Sequence, residues 1–257
     1  MNIILVAALT AIGLFGGILL LLEVGRRVGV RRAARDSEGA RAGTGAVEGA
    51  VFGLMGLLIA FTFSGAAARF DTRRQLVTEE ANNIGTAWLR LDLLPAGAQP
   101  ALRESFRRYV DLRLEVYRKL PDLEAAQAAL GRCAVLQGEI WSQAVAASRE
   151  GSPPAAMLLL PALNQMFDIT TTRTTAARIH PPAIIFITLV ALTLISALLA
   201  GYDMAPAKRR SWIHMLGFAF VMATVVYIIL DLEHPRLGLI NIHAADKVLV
   251  ELRQSMK

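Results

Sequence analysis

The 257 residues contain one cysteine, Cys133, so neither an intramolecular disulfide nor a cysteine-rich metal site can form. The four histidines are scattered, and His180 and His234 adjoin prolines, a setting that suits turns better than ligands. The HExxH zinc helix, the GxxxxGK phosphate loop, the GxSxG elbow and the CxxC pair are all missing. With no catalytic grouping, no cofactor site and no metal site, the expectation is a protein that is not an enzyme. Internal repeats, low-complexity linkers and useful lengths of strand-like alternation are also lacking.

Charge is missing in a more telling way. Ile3–Leu22, Pro182–Tyr202 and Trp212–Leu230 carry no aspartate, glutamate, lysine or arginine, and of these Val47–Ala68 carries only Glu48, at its start. At about 1.5 Å per helical residue, each run reaches roughly the 30 Å of a bilayer core. Hydrophobic residues make up 54% of the chain and the mean hydropathy is +0.47, too apolar for an ordinary soluble domain. The first run is expected to stay as an uncleaved span. Only Met1 and Asn2 precede it, and Leu-Leu-Leu-Glu closes it where a signal peptide wants small residues.

The expected fold is therefore an all-α membrane protein with four transmembrane helices in two hairpins. A helical bundle outside the bilayer is inserted between the second and third spans. Residues 1–68 form the first hairpin (spans about 3–22 and 47–68), 69–181 the bundle, 182–231 the second hairpin (spans about 182–202 and 212–230), and 232–257 a tail with a short helix. The bundle reads as four amphipathic helices by three-and-four spacing. The first stripe is Phe70, Val77, Ala81, Ile84, Trp88 and Leu91, interrupted by Arg74, and Pro95 to Pro100 ends it. The second places Leu102, Phe106, Tyr109, Val116, Tyr117 and Leu120 inward. The third uses Leu123, Ala126, Leu130, Cys133, Ile140, Trp141 and Ala144. The fourth runs from about Ala155 to Arg178.

The net charge of +6 reflects arginines beside the spans, where they set orientation and meet lipid headgroups, rather than a nucleic-acid surface. Arg26, Arg27, Arg31, Arg32, Arg35 and Arg41 in the first loop share one membrane face with Lys208, Arg209 and Arg210 in the third. Basic residues collect in short cytoplasmic loops. Both termini and the central domain are thus expected outside the cytoplasm, in a multi-pass protein of the cell's inner (plasma) membrane.

Candidate functional residues fall into three groups. Gly45, Gly49, Gly53, Gly56, Ala60 and Ser64 lie along one face of the second span, where missing side chains let another backbone approach. That face can pack on the first or third span, on a second copy, or line a pore. A neighbouring stripe of Val51, Met55, Ile59 and Phe63 can face lipid or form a constriction. Glu48 at the mouth can reach water or pair with an arginine. In the second group Glu79, Glu80, Asn83, Asn164 and Asp168 can meet across the first and fourth bundle helices, as an oxygen-ligand cation site or as a polar network fixing register. The third group, Asp231, Glu233, Pro235 and Gly238, follows the last span and reads as a turn with solvated charges.

The run Phe61-Thr62-Phe63-Ser64-Gly65, then Arg69, Phe70, Asp71, Arg73, Arg74 and Gln75, then Glu79 to Gly85 and Leu91 to Pro95, resembles the bacterial bestrophin-like domain family. So do Leu163, Asn164 and the post-span residues Asp231, Glu233, Pro235 and Gly238. The resemblance covers nearly the whole chain. It implies kinship with bestrophins, pentameric anion channels built from two spans, a helical domain and two more spans. It thereby implies a homo-oligomer passing inorganic ions, with the lipid bilayer as its other partner. The sequence departs from that pattern twice. Bestrophins keep the middle domain in the cytosol, and their second span bears large apolar side chains where this one bears small ones. The competing reading is a non-conducting sensor or scaffold acting through the helical domain.

Overall fold

The computed structural model describes residues 3–33, 44–206 and 210–257, and every regular element among them is helical. Arg35, Arg41, Lys208 and Arg209 of the orientation argument lie outside the described residues. Four helical stretches are long and apolar enough to cross a membrane, lying within 4–32, 45–93, 153–203 and 212–232. The chain divides into two compact units.

The first unit holds residues up to 68 together with 180–234 and 238–240. Helix α1 (Ile3–Ala33) packs along both α6 (Ala183–Asp203) and α7 (Trp212–Leu232). Its buried residues Ala7, Leu14, Ile18 and Leu22 recur at helical spacing, as do Leu189, Thr193, Ala197 and Gly201 of α6. The α1–α6 crossing is closest where side chains are absent. A Cβ on Gly201 would sit 2.8 Å from Leu22 Cα, and one on Gly25 would sit 2.9 Å from the Tyr202 nitrogen, closer than any real Cβ contact. Glu23 accepts from Arg27 at 2.7 Å and from Arg210 at 2.9 Å, tying the end of α1 to the approach to α7.

Helix α2 (Thr44–Arg90) is one uninterrupted α-helix whose first part, through Ala68, belongs to this unit. Glu48, Met55 and Ala66 turn inward there, with Val51 and Ile59 half-buried. Of the stripe Val51, Met55, Ile59 and Phe63, read from sequence as lipid-facing or constricting, the first three thus pack inward while Phe63 is exposed. Glu48 is buried rather than reaching freely into water.

The second unit comprises 69–179, 235–237 and 241–257. It contains the rest of α2, a 3-10 turn at Leu91–Leu93, α3 (Gln99–Lys119), α4 (Leu123–Glu150), α5 (Pro153–Arg178) and α8 (Lys247–Ser255). Pro100 and Pro153 occupy the first turns of α3 and α5, where a missing N–H costs nothing. Asp122 caps α4 by accepting from the Ala125 N–H at 3.0 Å. One apolar core joins Val77, Ile84, Leu91, Phe106, Tyr109, Cys133, Ile140, Leu163 and Met166. The tail helix docks on it through fully buried Leu249. Arg253 donates to both Asp111 carboxylate oxygens, at 2.9 and 3.0 Å, and Arg107 donates to the Met256 carbonyl at 3.0 Å.

Two side chains expected in the stripes are misplaced. Leu123 is exposed because it opens α4 before the first inward turn, and Ala129 fills the core instead. Arg74 points out and pairs with Asp71 at 3.2 Å. Its neighbour Arg73 turns inward and donates to the Ala176 and Ile179 carbonyls at the end of α5, at 3.0 and 2.8 Å.

Candidate functional site

The small-residue face of α2 has no close neighbour among the described residues. Gly49, Gly53, Gly56, Ala60 and Ser64 are all exposed, and a Cβ built on Gly45, Gly49, Gly53 or Gly56 meets no atom within 4 Å. Packing of this face on the chain's own first or third span is therefore excluded. Its backbone approach is met instead by Gly25 and Gly201 on α1 and α6. Exposed Leu54, Leu57, Phe61 and Phe63 flank the small face. Thr62 bonds back to the Leu58 carbonyl at 2.8 Å, so it offers no free hydroxyl.

The second expected group does not assemble. Glu79, Asn164 and Asp168 are exposed, and Asn83 donates only to the Gln165 carbonyl, at 3.4 Å. Helical phase is the cause: residue 80 falls on the Val77–Ile84 stripe, while residue 79 falls on the opposite side. Among the described residues, no group of three or more histidine, cysteine, aspartate or glutamate side chains is placed to hold a metal ion.

Glu80 instead binds arginines. Fully buried, it accepts from Arg113 Nε through Oε1 and from Arg173 Nη1 through Oε2. Arg113 Nη2 donates to the Tyr117 hydroxyl at 2.6 Å, and that hydroxyl lies 3.3 Å from Glu80 Oε2 and donates to it. Arg236, paired twice with Asp246 at 2.6 and 2.8 Å, lies over the Tyr117 ring 4.2 Å from its centroid. Arg173 lies 4.5 Å and Arg113 5.4 Å from the same centroid. Burial pushes the Tyr117 hydroxyl far above the ordinary phenol range, and Glu80 adds to that effect while the three arginines oppose it. Tyr117 thus stays a neutral donor. Beside this cluster Tyr109 shares its hydroxyl with Thr170 at 3.0 Å and accepts from Gln137 at 3.1 Å.

The sequence reading missed Arg113, Arg173, Tyr117's polar role and Arg236. A signal was present for two of them. Arg113 continues the Phe106–Tyr109–Val110 stripe of α3, and Arg173 continues the Leu163–Met166–Ile169 stripe of α5. An arginine in phase with a buried stripe needs a buried acid, and Glu80 is the one in phase on α2.

The post-span residues form a closed turn, and their charges are buried rather than solvated. The Asp231 carboxylate accepts from the Leu239 N–H at 3.0 Å and the Ile240 N–H at 2.7 Å. Gly238 lies against it so closely that a Cβ there would stand 2.9 Å from Oδ2. Glu233, 2% exposed, sits 3.5 Å from His180 Nδ1, and the His180 and His234 rings stack with centroids 4.9 Å apart. His234 Nδ1 donates to the Leu230 carbonyl at 3.2 Å. The Pro235 carbonyl accepts from the Ile242 N–H at 3.0 Å. The acidic residues here are thus consumed by backbone amides and a histidine.

Comparison with functionally curated protein sequences gives no match. Among solved structures, three variants of a bacterial bestrophin homologue from Klebsiella pneumoniae share the fold at low identity. A tryptophan-to-alanine variant is 13% identical with a TM-score of 0.71, over 96% of this chain and 97% of that one. A leucine-to-threonine variant is 14% identical with a TM-score of 0.68, over 94% and 98%. A tyrosine-to-alanine variant is 13% identical with a TM-score of 0.68, over 93% and 97%. The model of the bestrophin-like domain matches residues 12–246. This membrane protein, with its several apolar helices, belongs to the bestrophin-like domain family.

Proposed function

We propose that the chain is one subunit of a homo-oligomeric channel for inorganic anions, with the small-residue face of α2 meeting the next copy or the conduction path. The observation that carries this reading is the open face itself. A membrane helix leaving Gly49, Gly53, Gly56, Ala60 and Ser64 without neighbours is unfinished as a monomer. Small residues at such positions permit close helix–helix approach in lipid. Family membership supports the same reading, since bestrophins are channels with this order of parts. The spans are read as two hairpins flanking a helical domain outside the bilayer of the bacterial inner membrane, and the protein acts as a conduit rather than a catalyst.

The test is mass measurement in mild detergent joined to flux from reconstituted liposomes. A ring-shaped oligomer that passes anions, with assembly or flux lost in Gly53→Leu, supports the proposal. A monomer passing no ions overturns it. For orientation, the basic residues of the first and third loops favour both termini and the helical domain lying away from the cytoplasm, opposite to bestrophins. With Cys133 buried, Ser255→Cys labelled in intact cells by an impermeant thiol reagent supports that placement. Labelling only after the membrane is opened overturns it.

A further inference from the structure

The outer side of α4 carries an uncharged stripe that the helical unit leaves open. Ala128, Gly131, Val135, Gly138 and Ser142 are exposed and Val145 is half-buried, at alternating spacings of three and four. A Cβ on Gly131 or Gly138 would meet no atom within 4 Å. A helix side facing water normally bears polar residues, whereas this spacing is that of a seam between two helices. Beside the seam, α3 and α4 enclose a groove of about 660 Å³, with Leu112 and Leu136 at its base and Arg132 and Glu139 at its rim. The charges around the seam identify what fits it. Along α4, exposed Glu124, Arg132, Glu139 and Arg149 run acid, base, acid, base. Among the described residues Glu124, Glu139 and Arg149 make no ion pair, while Arg132 reaches Glu115 of α3 at 2.8 Å.

We propose that this side of α4 docks on the same side of α4 in a second copy of the chain, as an antiparallel pair. A parallel second α4 would set each of the four charges against its own kind. An antiparallel one, related by a two-fold axis between Leu136 and Gln137, sets Glu124 against Arg149 and Arg132 close to Glu139, each pair occurring twice. The same register places Ala128 against Val145, Gly131 against Ser142 and Val135 against Gly138, so every layer joins a smaller residue to a larger one. Charges flanking such a seam fix the partner and its direction, and the two-fold lets one patch serve both copies. The small-residue face of α2 is a different surface, so this pairing does not depend on whether the protein conducts.

The experiment uses the purified full-length protein in mild detergent and a short bis-maleimide, with dimer read on a denaturing gel. Cys133 is buried, so an added surface thiol is the reactive one. In the antiparallel pair, the two copies of residue 135 lie about 5 Å apart along the helix axis and those of residue 128 about 25 Å apart. Val135→Cys should therefore give dimer and Ala128→Cys alone should not. Ala128→Cys co-expressed with Val145→Cys should give it again. Arg132→Glu sets acid against Glu139 twice and should cut the Val135→Cys yield several-fold. Adding Glu139→Arg recreates both pairs and should restore the yield. The two positions lie two helical turns apart on one α4, too far for a rescue inside a single copy. Gly53→Leu should leave the cross-link intact, which separates this contact from any made by α2. No dimer from Val135→Cys would overturn the proposal. So would equal dimer from Ala128→Cys alone, or a double charge swap no better than Arg132→Glu.

Discussion

Removing the Glu80 carboxylate is the sharpest test of how the helical unit is held. Glu80→Gln preserves shape and keeps one acceptor oxygen, but places an amide NH2 where Oε2 now receives Arg173 and the Tyr117 hydroxyl. Two guanidinium groups, with side chains 1% and 8% exposed, lose their shared counter-charge. Breaking a buried pair by deleting one partner costs about 3–5 kcal/mol. At roughly 2–4 °C per kcal/mol for a chain of this size, the melting temperature should fall by about 6–20 °C. Fluorescence of Trp88 and Trp141 in a Trp212→Phe background, at one fixed scan rate, reads the helical unit. Glu79→Gln is the control. That side chain is exposed one residue away, and its loss should cost within about 0.5 kcal/mol. Equal melting temperatures for Glu80→Gln and wild type, or equal losses for the two variants, would refute the assignment. The combined change of Glu80→Leu, Arg113→Met and Arg173→Leu should recover most of the loss, because apolar replacements of buried ionic groups are often neutral or better.

Four further outcomes follow from the packing. Gly201→Val should destabilise the first unit by about 1–3 kcal/mol or more, read as lost folded yield in detergent, because the new side chain meets the Leu22 backbone rather than a movable group. Gly53→Leu should leave the monomer's melting temperature within a degree or two of wild type. Gly238→Ala and Asp231→Asn should each loosen the turn after α7, by about 1–3 kcal/mol, detected as faster amide exchange at Leu239 and Ile240. The Cys133 thiol, 1% exposed and pushed up by burial although Arg113 opposes this, should react with an aromatic disulfide reagent only on unfolding. Rapid labelling of the native protein would contradict the core described here.

Most of the helical architecture was legible because it rests on local patterns. Uncharged runs gave the apolar helices, and Pro95 to Pro100 marked the end of the long second helix. Inward residues such as Val77, Phe106 and Ile140 followed from helical spacing alone. The failures share a cause, which is that periodicity tells which face a residue occupies but not what that face meets. Gly53 and Gly201 look alike in sequence, yet one faces open space and the other a backbone. Glu79 and Glu80 look equally acidic, and a rotation of about 100° separates solvent from core. Asp231 read as solvated because its partners are backbone amides, which leave no trace in side-chain composition.

The glycine contact between α1 and α6 also bears on how the first unit can change shape. With backbone set against backbone at Gly25 and Gly201, a shift of one helix along the other would bring a bulkier residue into a slot only hydrogen can occupy. The two helices are therefore obliged to travel as a single strut. The small-residue side of α2 carries no such constraint, since an added Cβ at Gly45, Gly49, Gly53 or Gly56 meets no atom within 4 Å.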